Sequence, residues 1–216
     1  MTPRTRIKIC GLTREQDVDA AVAAGADAIG LVFYPRSPRH VSLERAVQLA
    51  RHLPPFVTPV ALFVNATQQE VDAVLQAIPH ALLQFHGDES PADCRAAGRP
   101  YLRAVRVTPR TDLLDSAAQY VDAAGLLLDA HVEGYGGGGK VFDWSVIPPN
   151  VPLPVVLSGG LNPANVTDGV LRVRPEAVDV SSGVESAKGI KDAALIRRFC
   201  DAVREADARM ADAAST

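Results

Sequence analysis

Apolar and polar positions vary along this chain on two length scales. Short aliphatic runs recur at intervals of roughly twenty to thirty residues, the span of one strand–helix unit. They are Ile7–Cys10, Ala28–Phe33, Val60–Val64, Ala81–Phe85, Tyr101–Val107, Leu126–Leu128, Val155–Leu157 and Ala177–Val180. Most are continuous rather than alternating, as in strands covered on both faces. Between them the apolar period lengthens to that of a helix: Leu43, Val47, Ala50 and Leu53 share one face, as do Val71, Val74, Leu75 and Ile78. Start signals accompany these stretches. Thr13 with Gln16 and Thr67 with Glu70 have capping-box spacing, while Ser90-Pro91 and Asn162-Pro163 each set a capping residue before a helix-opening proline. Gly25 and Gly98 stand where glycine ends a helix.

Eight such alternations predict an α/β protein with a single (β/α)8 TIM barrel, the competing architecture being a doubly wound open sheet. The sixth helix is expected to be short or irregular, because Asp143 to Ile147 leaves little more than one turn before Pro148-Pro149. No linker divides the chain, so one domain is expected over residues 1–216. Its Ala- and Asp-rich end, about 205–216, is expected to fray.

Composition narrows the function. Hydrophobic residues at 47% and charged residues at 22% are ordinary globular proportions, and a formal net charge of −3 offers no basic excess for nucleic acid. No run is long enough for a membrane span, and the N-terminus lacks the apolar core of a signal peptide. Cys10, Cys94 and Cys200 are odd in number and widely spaced, which points to free thiols and a cytoplasmic location.

In a barrel the chemistry gathers at the carboxyl ends of the strands. Those ends carry Cys10, the loop from Tyr34 to His40, Asn65, Gln84, His86, Arg106, Asp129, Ser158 and the stretch from Asp179 to Gly183. Cys10 is either a buried small hydrophobe or a reactive thiolate, and its place at a strand end favours the second. Cys94 and Cys200, inside helical patterns, read as structural. Arg39, on a proline-stiffened loop with Arg36 nearby, can serve as a fork for a carboxylate or phosphate. His86 lacks a second ligand at metal spacing and reads as a hydrogen-bonding or packing group. Ser158-Gly159-Gly160 and Ser181-Ser182-Gly183 follow strands seven and eight, where barrels commonly expose backbone N–H groups to a phosphate.

The run Leu126–Leu128 stops at Asp129 and is followed by a loop with four consecutive glycines, Gly136 to Gly139. That combination suggests an ionisable group at the floor of a pocket with a backbone able to approach a ligand. The segment Gly134 to Lys140 also reads GxxxxGK, but Val141 stands where a nucleotide-binding loop needs a hydroxyl, so it is a decoy.

Taken in order, KICGLT, GADAIGLVFYPRSPRHV, QFHGDE, LLLD with GYGGGGKVFDW, LSGGLNPANV and DVSSGVE with GIKD resemble the phosphoribosylanthranilate isomerase family of tryptophan biosynthesis, over Lys8 to about Phe199. The resemblance implies an Amadori rearrangement of N-(5-phosphoribosyl)anthranilate with no metal and no cofactor. It implies Cys10 as general base, Asp129 as general acid and Arg39 as the holder of the anthranilate carboxylate. Gln84 and His86 would contact substrate. Gly159, Gly160, Ser181, Ser182 and Gly183 would hold the phosphate, with Asp179 alongside. The implied partner is a small phosphosugar–anthranilate substrate, with no nucleic acid and no membrane, for a monomer or homodimer. Gly138 departs from the Ser or Thr common in the family's glycine loop, which gives that loop more freedom. Two other readings use the same phosphate loops: a related phosphosugar barrel working with paired aspartates or a metal, and a non-catalytic phosphate-ligand binder with an oxidisable Cys10.

Overall fold

A computed structural model of the chain describes residues 4–108, 110–130 and 142–214. The glycine loop Gly134 to Lys140, with Gly138, lies outside the described residues. Eight parallel strands close into a barrel in sequence order: β1 (Arg6–Cys10), β2 (Ala28–Val32), β3 (Thr58–Phe63), β4 (Leu82–Phe85), β5 (Tyr101–Val107), β6 (Gly125–Ala130), β7 (Val155–Leu157) and β8 (Ala177–Val180). β8 returns to β1 in parallel register, with Lys8 opposite Asp179. Each strand falls on one of the aliphatic runs.

Side-chain alternation along these strands splits the core in two. Outward residues such as Ile9, Ile29, Leu31, Phe63, Leu83 and Val178 pack with Val18, Leu49, Val74, Ile196 and Phe199 of the surrounding helices. Phe33, Phe63, Phe85 and Tyr101 run in sequence across β2 to β5, with successive ring centroids 5.4, 6.1 and 5.8 Å apart. Inward residues form two smaller apolar groups, Leu102, Ala104, Leu127 and Val156, and Cys10, Val32, Leu62 and Val64. The polar inward residues Gln84, Asp129, Ser158 and Asp179 lie towards the strands' carboxyl ends.

The helices are α1 (Glu15–Ala23), α2 (Leu43–Arg51), α3 (Gln68–Ala77), α4 (Pro91–Ala96), α5 (Leu113–Gln119), α6 (Val166–Val173) and α7 (Ala193–Ala214). Among the described residues the unit after β6 has only a single 3-10 turn, Trp144–Val146, started by the Asp143 carboxylate accepting from Ser145 N at 3.0 Å. Thr67 and Ser90 cap α3 and α4 in full capping boxes, with Pro91 in the first turn. Two expected caps are not formed. Thr13 Oγ1 donates instead to Gly189 O at 3.0 Å, a partner from the far end of the chain, and Arg14 takes the N-cap position of α1, where its side chain caps no backbone N–H and pairs with Asp17. Asn162 Oδ1 accepts from Ala164 N and Asn165 Oδ1 from Asn162 N, both at 2.8 Å. These local turns outcompete the cap, and α6 begins only at Val166.

The C-terminal stretch, expected to fray from about residue 205, is helical to Ala214. Ala206 is buried, and the Asp207 carboxylate accepts from Thr5 N at 3.0 Å and Thr5 Oγ1 at 2.7 Å. This helix therefore closes over the start of β1. Between β8 and α7 a small antiparallel hairpin, β9 (Glu185–Ala187) and β10 (Ile190–Lys191), stands at the strands' carboxyl end. Among the described residues no helix is long and apolar enough to cross a membrane.

Candidate active site

Cys10 ends β1 and is 5% exposed. Its partner in register on β2 is Gly30, and a Cβ built there would lie 2.6 Å from Cys10 Sγ. Only glycine leaves the sulfur its space, which explains a glycine in the middle of an aliphatic strand. Two residues earlier on the same face, Lys8 Nζ is 2.7 Å from Asp179 Oδ1, both buried, and Ser158 Oγ lies 3.2 Å from Asp179 Oδ2. Burial acts to strip the Lys8 ammonium of its proton. The Asp179 carboxylate and Cys10 outweigh that and raise its pKa to about 12. The thiol itself is pushed up, first by burial and also by Asp179, with Lys8 and Lys191 pulling the other way. These surroundings thus favour the Cys10 thiol over its thiolate. Cys94 and Cys200 are fully buried, and burial raises them to about 12 and about 11, as structural thiols.

Asp129, on β6, is 7% exposed. Its Oδ1 accepts from Ala130 N at 2.9 Å and its Oδ2 lies 3.0 Å from His86 Nε2. Gln84 Nε2 is 3.0 Å from His86 Nδ1. An amide NH2 can only donate, so Nδ1 accepts and the ring proton sits on Nε2, facing Asp129. The His86–Asp129 contact links β4 to β6 past the intervening β5, which requires both side chains to enter the barrel. Gln84 and His86 therefore form a hydrogen-bonded line to the Asp129 carboxylate.

Arg39 is 9% exposed, and its guanidinium stem crosses the β1–α1 turn. At Gly11, where φ is +75°, a Cβ would meet Arg39 Cδ at 2.4 Å, so both the backbone and the arginine require glycine. Arg39 Nε and Nη2 donate to Glu185 Oε1 and Oε2 at 2.7 and 2.8 Å. Glu185 Oε1 also accepts from Lys191 Nζ at 2.8 Å. Burial acts to raise the Glu185 pKa, but Arg39 and Lys191 outweigh it and hold the carboxylate below its usual range.

The two Gly/Ser loops abut: a Cβ at Gly183 would fall 1.9 Å from Leu161 O. Gly159 and Gly160 both adopt left-handed backbone, with φ of +76° and +72°. Among the described residues no backbone carbonyl accepts from the N–H groups of Gly159, Gly160, Ser182 or Gly183. These are donors an anion can use. Asp179, expected beside the phosphate, has its oxygens engaged by Lys8 and Ser158, so it orients Ser158 rather than facing an anion itself. Ser181 Oγ donates to Cys10 O at 3.0 Å and lies 3.3 Å from Lys191 Nζ, tying this loop to the thiol.

Sequence reasoning passed over Lys8, Ser158 as a partner of Asp179, Glu185 and Lys191. Lys8 carried a signal, since a lysine inside an aliphatic strand must find a buried acid. Glu185 and Lys191 carried only their place in the motifs.

Fold and site define a (β/α)8-barrel protein in which a thiol and a carboxylate enter one interior beside a pair of anion-receptive loops. The chain belongs to the N-(5'phosphoribosyl)anthranilate (PRA) isomerase family, whose model matches residues 7–202. It is 76% identical over 212 residues to the N-(5'-phosphoribosyl)anthranilate isomerase of Leptothrix cholodnii, covering 98% of this chain and 96% of that one. The crystal structure of phosphoribosyl anthranilate isomerase from Thermotoga maritima superposes with a TM-score of 0.87 at 41% identity, covering 93% and 99% of the two chains. A second structure of such an isomerase, in complex with reduced 1-(o-carboxyphenylamino)-1-deoxyribulose 5-phosphate, matches with a TM-score of 0.83 at 38% identity, covering 93% and 99%.

Proposed function

We propose that this chain converts N-(5-phosphoribosyl)anthranilate into 1-(2-carboxyphenylamino)-1-deoxyribulose 5-phosphate, with Asp129 as general acid and Cys10 as general base. The observation that carries the assignment is that both residues enter the barrel interior at the carboxyl ends of β1 and β6, in a chain matched to the family over nearly its whole length.

The steps follow from the substrate's chemistry. Asp129 protonates the ribose ring oxygen, the C1′–O bond breaks, and the nitrogen lone pair forms a protonated Schiff base. That cation makes the C2′ hydrogen acidic, and Cys10 removes it to leave an enolamine. Proton delivery to C1′ and loss of the O2′ proton then give the ketone and restore both protein groups. Each proton transfer by a positioned group is worth about 10²–10⁴-fold. Burial favours the Cys10 thiol, so the thiolate that acts as base forms by releasing its own proton to water when substrate binds, and the iminium charge then stabilises it. His86, fixed by Gln84, holds the Asp129 carboxyl in the orientation the first step needs.

Arg39 receives the anthranilate carboxylate. The N–H groups of Gly159, Gly160, Ser182 and Gly183, with the Ser181 and Ser182 hydroxyls at the loop, receive the phosphate. Proton transfer alone accounts for a redox-neutral isomerisation, so no metal or cofactor is assigned. A net charge of −3 suits a small anionic ligand rather than nucleic acid, and the free thiols suit the cytoplasm. Following the loss of anthranilate-ribose fluorescence with purified protein tests the assignment directly. Turnover is expected, and its absence in folded protein would refute it.

A further inference from the structure

Two buried cations converge on one buried carboxylate beside the proposed carboxylate pocket. The side chains of Arg39, Glu185 and Lys191 are 11%, 5% and 0% exposed. Lys191 Nζ has three acceptors: Glu185 Oε1 at 2.8 Å, Ser181 O at 3.0 Å and Ser181 Oγ at 3.3 Å. Three acceptors use the three N–H bonds of an ammonium and leave no place for the lone pair of a neutral amine. Among the described residues, two neighbouring pairs cancel their own charges, Arg14 with Asp17 and Lys8 with Asp179. The cluster of Arg39, Glu185 and Lys191 therefore carries one uncompensated positive charge away from bulk water. A purely structural ion pair would be neutral, because isolated buried charge is costly.

Geometry says where that charge is offered. Glu185 occupies the Nε–Nη2 edge of the guanidinium, which leaves the Nη1–Nη2 edge, itself a bidentate fork for a carboxylate. We propose that Glu185 and Lys191 are positioning residues that set specificity for the carboxylate end of the substrate. Glu185 fixes which edge of Arg39 is presented, and Lys191 cancels the Glu185 charge so that Arg39's own charge is left for the ligand. The proposal rests on the reading that Arg39 takes the substrate carboxylate. Burial pulls the Lys191 pKa below the usual lysine value, and Arg39 adds to that while Glu185 opposes it. Keeping this ammonium buried thus costs stability, as a group retained for function can. The backbone of Lys191 is anchored from α1, with Arg14 Nη2 donating to Lys191 O at 3.2 Å, so the side chain is held from both ends.

The test compares two inhibitors on the full chain: the reduced product analogue bearing the ring carboxylate, and the same compound with a plain phenylamino group. The readout is the ratio of their inhibition constants. Lys191→Met is expected to lower the preference for the carboxylate compound about tenfold or more, leaving the phenylamino compound within about twofold, and to raise KM more than it lowers kcat. In Glu185→Gln/Lys191→Met both buried charges are gone and Arg39's charge is again uncompensated, so the preference is expected to recover most of the way. This double variant also serves if Lys191→Met alone folds poorly. Equal weakening of both inhibitors by Lys191→Met, or no recovery in the double variant, would overturn the proposal. Arg39→Met separates the underlying reading: if it leaves the preference intact, Arg39 does not hold the carboxylate, whatever Lys191 does.

Discussion

His86 Nε2 lies 3.0 Å from Asp129 Oδ2, a contact made across the barrel interior past the whole of β5. Gln84 Nε2, one inward position further down β4, lies 3.0 Å from the other ring nitrogen, Nδ1, and holds the imidazole towards Asp129. A hydrogen bond to a charged partner is worth about 1.5–3 kcal/mol, or roughly 10- to 100-fold in rate if fully felt in the transition state. His86→Ala is therefore expected to lower kcat by about that factor with little change in KM, and His86→Gln, which keeps an N–H donor, to lower it less. Equal kcat for His86→Ala and wild type would show that Asp129 needs no such support.

Cys10 titrates above the ordinary thiol range of about 8–9, because burial disfavours the thiolate. Thiolate absorbance in the difference between wild type and Cys10→Ser is expected to appear only above that range. A thiolate band at neutral pH would contradict it.

Lys8 and Asp179 form a buried pair, so breaking one side should be costly. Lys8→Met is expected to destabilise by about 3–5 kcal/mol in urea denaturation, and Lys8→Met/Asp179→Leu by much less. The Lys8 pKa is raised on folding, so this pair's contribution is complete below the ordinary lysine pKa and is lost as pH climbs towards about 12.

Gly30 makes room for the sulfur. Gly30→Ala puts a methyl 2.6 Å from Cys10 Sγ and 3.0 Å from its Cα, and is expected to lower kcat by about 100-fold, because the proposed general base is displaced. Wild-type kcat in that variant would mean that the position of the thiol is not critical.

Tyr101, whose ring meets that of Phe85 at 5.8 Å and 68°, buries its hydroxyl with no hydrogen-bond partner among the described residues. Tyr101→Phe keeps the ring contact and removes the orphaned group. An increase in stability of about 1 kcal/mol is expected in urea denaturation, and a loss of that size would argue for a hidden partner.

The parallel barrel was legible because strands buried on both faces are written as unbroken aliphatic runs, and the placement of Cys10 and Asp129 at its carboxyl end because they end two of those runs. Thr67 and Ser90 were legible as caps because both partners lie within four residues. Thr13 was not, since its partner, Gly189, is 176 residues away. The Arg39–Glu185–Lys191 cluster was hidden for the same reason: Glu185 sits 146 residues from Arg39, on a hairpin of strands only three and two residues long. Gln84 and His86 were found as residues but not as supports of Asp129, because their period-two spacing on β4 shows a shared face without showing what it meets.

The proposed mechanism has a sulfur on β1 and a carboxyl on β6 move the protons of one sugar. Its most direct test is single-turnover loss of anthranilate-ribose fluorescence in Cys10→Ser and Asp129→Asn, with each variant shown by urea denaturation to be folded. Each is predicted to slow the chemical step by about 100-fold or more. A folded variant of either kind that turns over at close to the wild-type rate would contradict the account.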